Sequence, residues 1–128
     1  MIRLYLLIAG VIAAGLGAMI LLAPVVFYAG YGIDPAGQVN LLNELRSHGL
    51  SLLAAGLFIG FGAFRPRLAY AALIISTVLY LAYGLSRLVA IAMDGLPSSS
   101  LLLTGGFEIV MGLAGLALIL RTRRALVA

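Results

Sequence analysis

The chain has 128 residues, of which 64% are hydrophobic and only 9% are charged. Soluble domains carry about 25% charged residues, and this chain has too few polar side chains to cover the large surface of a small soluble globule. The composition therefore excludes a soluble domain, excludes a disordered chain because disorder requires low hydrophobicity, and predicts an integral membrane protein.

Apolar stretches in chain order predict four membrane-spanning helices, because a spanning helix needs about 20 mostly apolar residues. The first stretch has no charged residue from Leu4 to Ile33. Proline, glycine and serine at the boundaries separate the later stretches, as they do at helix ends. The predicted spans are residues 4–27, 35–64, 67–94 and 98–120.

The connections between the predicted spans are short, so consecutive helices should be antiparallel neighbours. Asp34 is expected to cap the second helix, with Pro35 in its first turn, where the missing N–H costs nothing. These features predict an all-α fold, a transmembrane four-helix bundle that forms a single domain over residues 1–128.

All eight basic residues are arginines, and most of them stand between the apolar runs. Cytoplasmic loops carry an excess of basic residues, so both termini are predicted to be cytoplasmic. Tyr5 and Tyr70 should then lie at the inner membrane interface, and Tyr28 and Tyr31 at the outer one. The arginines do not form a patch with exposed aromatic residues, so no nucleic-acid partner is predicted. The inward-facing arginines are Arg3, Arg65, Arg67, Arg121, Arg123 and Arg124.

Small residues at helical spacing predict close approach of helix backbones. This pattern suits either packing within the bundle or a homo-oligomer interface. The small residues are Gly10, Ala14 and Gly17 on the first helix, Gly56 and Gly60 on the second, and Gly105, Gly112 and Gly115 on the fourth.

Ionisable residues inside the spans are candidates for function, because charges are costly in a membrane. Counted from the predicted helix ends at 1.5 Å per residue, Glu44, Arg87 and Glu108 lie about 10–15 Å below the outer surface. An unpaired charge at that depth would be expensive, so Arg87 is expected to bridge both carboxylates.

Polar side chains accompany these charges at helical periodicity. They predict an outward-opening polar pocket with an apolar floor, or a cluster that only holds the helices in register. His48 is expected to be an interfacial or hydrogen-bonding histidine. The candidate ligand-binding or polar cluster consists of Asn40, Asn43, Glu44, His48, Tyr80, Tyr83, Arg87 and Glu108.

Other chemistries find little support in the sequence. The absence of cysteine excludes thiolate catalysis and zinc–sulfur sites. A metal site formed by Glu44, His48 and Glu108 is disfavoured, because Arg87 at the same depth would repel a cation. The serines lack a nucleophile-elbow context and the glycines form no phosphate-binding loop, so no catalytic residue, metal or cofactor is predicted.

Several short motifs resemble a family of small bacterial membrane proteins, domain-of-unknown-function family 4345, over nearly the whole chain. They are Asn43-Glu44-Leu45-Arg46 followed by Gly49, Gly84-Leu-Ser-Arg87, Asp94-Gly-Leu-Pro97, and Glu108. The resemblance implies a multi-pass, four-helix protein of the bacterial inner (cytoplasmic) membrane, and it implies no activity.

Three functional hypotheses follow. The first is a non-catalytic protein, either a small lipid-binding bundle or an accessory subunit, whose partners are membrane lipids, further copies of the chain or a larger membrane complex. The second is a membrane enzyme that acts on a lipid, polyprenyl or quinone-like substrate in the pocket, with Glu44 or Glu108 as acid or base. The third is a transporter or channel, which would require oligomerisation.

Overall fold

A computed structural model describes residues 1–127, and in that range helices are the only regular secondary structure. Four helices are long and apolar enough to cross a membrane, which confirms the all-α fold class and the predicted number of candidate spans. The helices are α1 (Ile2–Leu22), α2 (Pro24–Ala29), α3 (Val39–Gly62), α4 (Pro66–Asp94) and α5 (Ser99–Val127).

The first predicted span, residues 4–27, is wrong at its C-terminal end. Helix α1 ends at Leu22, and Ala23 adopts the non-helical angles φ −137° and ψ 58° before Pro24 opens the short helix α2. Proline has no N–H to continue the α-helical bonding, and its ring collides with the carbonyl four residues back. The guanidinium of Arg46 donates a hydrogen bond to the Leu21 carbonyl near this break.

The second predicted span, residues 35–64, begins too early. The Asp34 carboxylate accepts a hydrogen bond from the Ala36 N–H at 3.0 Å, and Gly37 has a φ of +74°. This left-handed conformation favours glycine and interrupts a right-handed helix. Helix α3 therefore begins at Val39 with Gln38 as its N-cap, and Asp34 stabilises a turn instead of capping a helix.

The last two predicted spans agree with the structure at three of their four ends. Helix α4 occupies Pro66–Asp94, and α5 begins at Ser99. Helix α5 then continues to Val127 instead of ending near residue 120. Arginine is a good helix former whose charged head reaches water on a long stem, so the arginine-rich segment prolongs the helix.

Small residues bring α1 and α3 into direct backbone contact. A Cβ added at Gly10 would lie 2.5 Å from the backbone nitrogen of Gly60, and one added at Gly56 would collide with the backbone of Ala14. Gly17 lies in the same way against Leu53. These pairings define an antiparallel register, and the small-residue faces of α1 and α3 are used for packing within the chain.

Tyr5 is a core residue that packs between the helices, not an exposed member of an aromatic belt. The side chain is 8% exposed, and its hydroxyl donates to the carbonyl of Met111 at 3.0 Å and accepts from Ser76 at 3.1 Å. The Tyr80 hydroxyl donates to the Ala9 carbonyl at 2.7 Å. Buried tyrosine hydroxyls require such partners, and here they connect α1 with α4 and α5.

Several arginines lie together at one end of the bundle, where α1 begins, α3 meets α4, and α5 ends. Arg3 lies 5.5 Å from the centre of the Phe64 ring, and Arg65 lies 5.4 Å from that of Phe61. Arg3 and Arg121 also border one shallow cleft at this end. The opposite end carries α2 and the α4–α5 turn.

A candidate ligand cavity between the helices

A cavity of about 260 Å³ lies in the half of the bundle opposite the arginine-rich end. All five helices contribute to its walls, which combine an apolar floor with aromatic and polar side chains. Convergent polar groups in an apolar cavity are typical of ligand sites. Its polar and aromatic lining consists of Phe27, Tyr28, Tyr31, His48, Tyr80, Tyr83, Ser86, Arg87, Thr104, Phe107 and Glu108.

Arg87 and Glu108 form a bidentate ion pair in the cavity wall. Nε of Arg87 donates to Oε2 of Glu108 at 3.1 Å, and Nη2 donates to Oε1 at 3.0 Å. The Glu108 side chain is 11% exposed and that of Arg87 34%. Two parallel hydrogen bonds between charged groups give both strength and a defined orientation, so the pair joins α4 to α5 at this level.

Gly105 makes room for this ion pair. A Cβ added at Gly105 would lie 3.1 Å from Cγ and 3.3 Å from Cβ of Arg87. The aliphatic part of Arg87 therefore crosses α5 directly over Gly105 on its way to Glu108. Gly106, the next residue, has open space where its side chain would be.

Gly105→Ala is expected to be less stable than Gly106→Ala by about 1–2 kcal/mol, because both gain the helix preference of alanine but only the methyl group at 105 presses on the Arg87 stem. The free energy of unfolding in mixed detergent micelles measures the effect. Gly106→Ala is the matched control and should be neutral or slightly stabilising. Equal losses in both variants would contradict this role of Gly105.

His48 and Tyr83 form a second polar pair in the cavity wall. The Tyr83 hydroxyl lies 3.1 Å from Nδ1 of His48, and the two rings meet edge to face with centroids 5.5 Å apart. The pair joins α3 to α4. A hydroxyl and an imidazole that share a hydrogen bond can pass a proton between them, the chemistry that acid–base catalysis uses.

An aromatic cluster from α2 and the residues after it covers one side of the cavity. The Phe27 ring meets Tyr28 and Tyr31 edge to face at centroid distances of 5.1 and 5.5 Å. The Tyr31 hydroxyl lies 3.1 Å from Oγ1 of Thr104 on α5. Tyr28 and Tyr31 thus line the cavity, although the sequence suggested only an outer aromatic belt.

A sequence signal for this cluster exists in the spacing of the aromatic residues. Tyr31 stands four residues after Phe27 and three after Tyr28, a spacing that brings side chains together on a helix, shortly after the break at Pro24. Burial raises the pKa of the Tyr28 phenol, and the positive charge of Arg87 offsets part of that rise. Tyr28 is therefore an uncharged hydroxyl at neutral pH.

The structure divides the eight predicted cluster residues into two groups. His48, Tyr80, Tyr83, Arg87 and Glu108 line the cavity. The others, Asn40, Asn43 and Glu44, are exposed on α3 and do not line it.

The expected bridge from Arg87 to Glu44 is therefore wrong, and Glu108 alone pairs with Arg87 among the described residues. The reason is the rotation of α3 about its axis. Gly49 and Gly56 must face α1, since a Cβ on either would collide with its backbone. That orientation turns His48 and Leu52 toward the cavity and leaves Glu44 outside.

The cavity offers no metal-ligand set within residues 1–127, where no three histidine or acidic side chains stand close enough to hold a metal ion. Its chemistry is that of hydrogen bonding, aromatic contact and one neutralised ion pair. Such an arrangement suits a small molecule with polar oxygens and apolar parts.

Comparison with known protein families shows which family the chain belongs to. Residues 1–119 match the family described as Domain of unknown function (DUF4345). The chain belongs to this family. The match confirms the resemblance found in the sequence, and the DUF4345 segment contains every residue that lines the cavity. No curated protein and no solved structure matches the chain.

Proposed function

We propose that this DUF4345 protein is a small multi-pass membrane protein that binds a lipid-soluble molecule non-catalytically in the cavity between its helices. The cavity itself carries the proposal, because it joins an apolar floor to a few oriented polar groups. Leu16, Leu52 and Leu79 suit an apolar part of the ligand. Arg87 and Tyr28 suit oxygen atoms, since both side chains donate hydrogen bonds.

The site of binding favours a ligand that is dissolved in the membrane. The helices that surround the cavity have a mean hydropathy and length suited to a bilayer, and many large apolar side chains on their outer faces are exposed. A molecule that partitions into the bilayer would meet the cavity without crossing water. A free water-soluble metabolite would first have to enter the apolar region.

Native mass spectrometry of the gently solubilised full chain, combined with solvent extraction of the same sample, tests the proposal. We expect one defined lipid-soluble molecule to be retained. Leu16→Trp, which fills the cavity, should reduce its amount at least tenfold, whereas Leu4→Trp on the exposed face of the same helix should retain it. Extraction of only bulk lipid, in equal amounts from all three proteins, would overturn the proposal.

We further propose that both termini face the cytoplasm in the bacterial inner membrane, with the cavity in the outer half of the bilayer. The arginine-rich end supports this orientation. The chain has no cysteine, so single cysteines report topology directly. In intact cells, a membrane-impermeant maleimide is expected to label Ser98→Cys and to leave Phe64→Cys unlabelled until the membrane is opened. The reverse pattern would invert the orientation.

A membrane enzyme is a second candidate, favoured by the hydrogen bond between His48 and Tyr83 in the cavity wall. Histidine is the commonest general acid or base. The enzyme hypothesis expects purified protein to convert its retained molecule, and expects His48→Gln to stop the conversion while the molecule is still bound. Retention of an unchanged molecule by the wild-type protein would favour the non-catalytic binding protein.

A further inference from the structure

A second hollow, on the outside of the bundle, adjoins the cavity. A groove of about 320 Å³ follows the seam between α4 and α5, and Arg87 and Leu101 border both spaces. Only these two side chains are shared by the two linings. The ion pair of Arg87 therefore stands between the interior cavity and the outer surface.

The groove suits a hydrocarbon chain. Small residues form its base, since Gly84, Gly105 and Gly106 all line it. Leu88 and Leu102 border it and are 51% and 41% exposed. The only charged side chain in its lining is Arg87, whose guanidinium is engaged with Glu108.

The cavity is too small to enclose a whole lipid, so part of a bound lipid must extend outside it. Sites that enclose drug-sized molecules have volumes of about 300–1,000 Å³, and the cavity measures about 260 Å³. It therefore holds a ring-sized head but not a head together with a long chain. The groove beyond Leu101 is a space adjacent to it that accommodates the remainder.

The charge of the site selects an uncharged head. Arg87 and Glu108 neutralise each other through two hydrogen bonds. An anionic head such as a phosphate would approach the Glu108 carboxylate as well as Arg87, and like charges in an apolar environment repel strongly. A cationic head would be repelled in the same way by the Arg87 guanidinium.

The free donors and the rings define the head further. Nη1 of Arg87 donates to no protein acceptor within residues 1–127, because the pair with Glu108 uses Nε and Nη2. Tyr28 offers a phenolic hydroxyl. Carbonyl oxygens would accept from these donors, and the rings of Phe27, Tyr80 and Phe107 suit contact with a flat head.

We infer, on the basis of the proposed binding function, that the ligand is an uncharged carbonyl-bearing ring with an apolar chain, of the prenylated-quinone class. The head occupies the cavity, and the chain leaves between α4 and α5 past Arg87 and Leu101. The seam between these helices is thus the lateral opening of the site toward lipid.

Binding to three probes tests the head and the exit separately. The probes are decylubiquinone, the chainless 2,3-dimethoxy-5-methyl-1,4-benzoquinone, and decyl phosphate as a competitor. The chain has six tyrosines and no tryptophan, and four of those tyrosines line the cavity. Quenching of tyrosine fluorescence in the full-length protein therefore reports occupation of the site by a quinone.

Gly106→Leu adds a bulky side chain at the lining of the groove, because Gly106 borders the groove and nothing lies within 4 Å of the position of its Cβ. It is expected to weaken decylubiquinone binding at least tenfold and to change binding of the chainless quinone less than twofold. Gly15→Leu, which also points into open space, is the matched control and should bind both quinones as the wild-type protein does. The inhibition constant of decyl phosphate should be at least tenfold higher than the Kd of decylubiquinone.

The outcomes separate this inference from the proposed function. Equal competition by decyl phosphate, or no quenching by decylubiquinone in a protein that retains another molecule, would overturn the uncharged ring as the head. Unchanged decylubiquinone binding in Gly106→Leu would overturn the exit between α4 and α5. If no probe bound and the purified protein retained no molecule, the proposed function would be overturned as well.

Discussion

Replacing Gly56 by alanine is expected to destabilise the protein by about 3 kcal/mol, the upper part of the range for overpacking a tight contact. The added Cβ would collide with the backbone of Ala14 on α1. A backbone cannot rotate away as a side chain can, so α1 and α3 must separate. The free energy of unfolding, measured by circular dichroism during a detergent titration, reports the loss.

Gly15→Ala is the control for this prediction. Gly15 also lies in α1, but its Cβ would meet open space. Alanine is the better helix former by about 1 kcal/mol, so this variant should be neutral or more stable. If Gly56→Ala were as stable as Gly15→Ala, the close contact between α1 and α3 would be refuted.

Replacing Glu108 by glutamine is expected to cost about 2 kcal/mol. Removing one partner of a buried ion pair typically costs about 3–5 kcal/mol, but the Arg87 side chain is 34% exposed and glutamine still accepts one hydrogen bond. The same unfolding titration measures this cost. In the binding assay, the displaced guanidinium should also weaken retention of the ligand.

Glu44→Gln is the matched control for Glu108→Gln. Glu44 is exposed on α3 and lies outside the cavity, so its replacement should change stability by less than about 0.5 kcal/mol. The double variant Arg87→Met with Glu108→Met should regain most of the stability lost in Glu108→Gln, because an apolar pair removes the unpaired charge. Equal losses at Glu44 and Glu108 would show that the ion pair stabilises nothing.

The partnership of Arg87 and Glu108 was predictable because both residues lie at similar distances from helix ends that the sequence marks clearly. Asp94 ends α4 as expected, and α5 begins at Ser99, within one residue of its predicted start. Depth along a helix follows from counting residues at a fixed rise. The partner was therefore found, although the exact geometry was not.

The expected role of Glu44 failed because depth says nothing about rotation. Counting residues placed Glu44 near the predicted level of Arg87, but the direction of its side chain depends on which face of α3 meets α1. Gly49 and Gly56 decide that direction through backbone contacts with α1. Periodicity showed a polar stripe on α3 and gave no reason to place it outside the bundle.

The four segments that are long and apolar enough to cross a membrane are determined by sequence alone, because length and apolarity are properties of local composition. The pairing of Arg87 with Glu108 also follows from the cost of leaving a charge unpaired in an apolar environment. Only the tertiary structure decided the cavity, its aromatic cover from α2 and the groove that adjoins it between α4 and α5. The break at Pro24 is local, but the cavity also requires a particular rotation of each helix against its neighbours, which depends on contacts between residues distant in the chain.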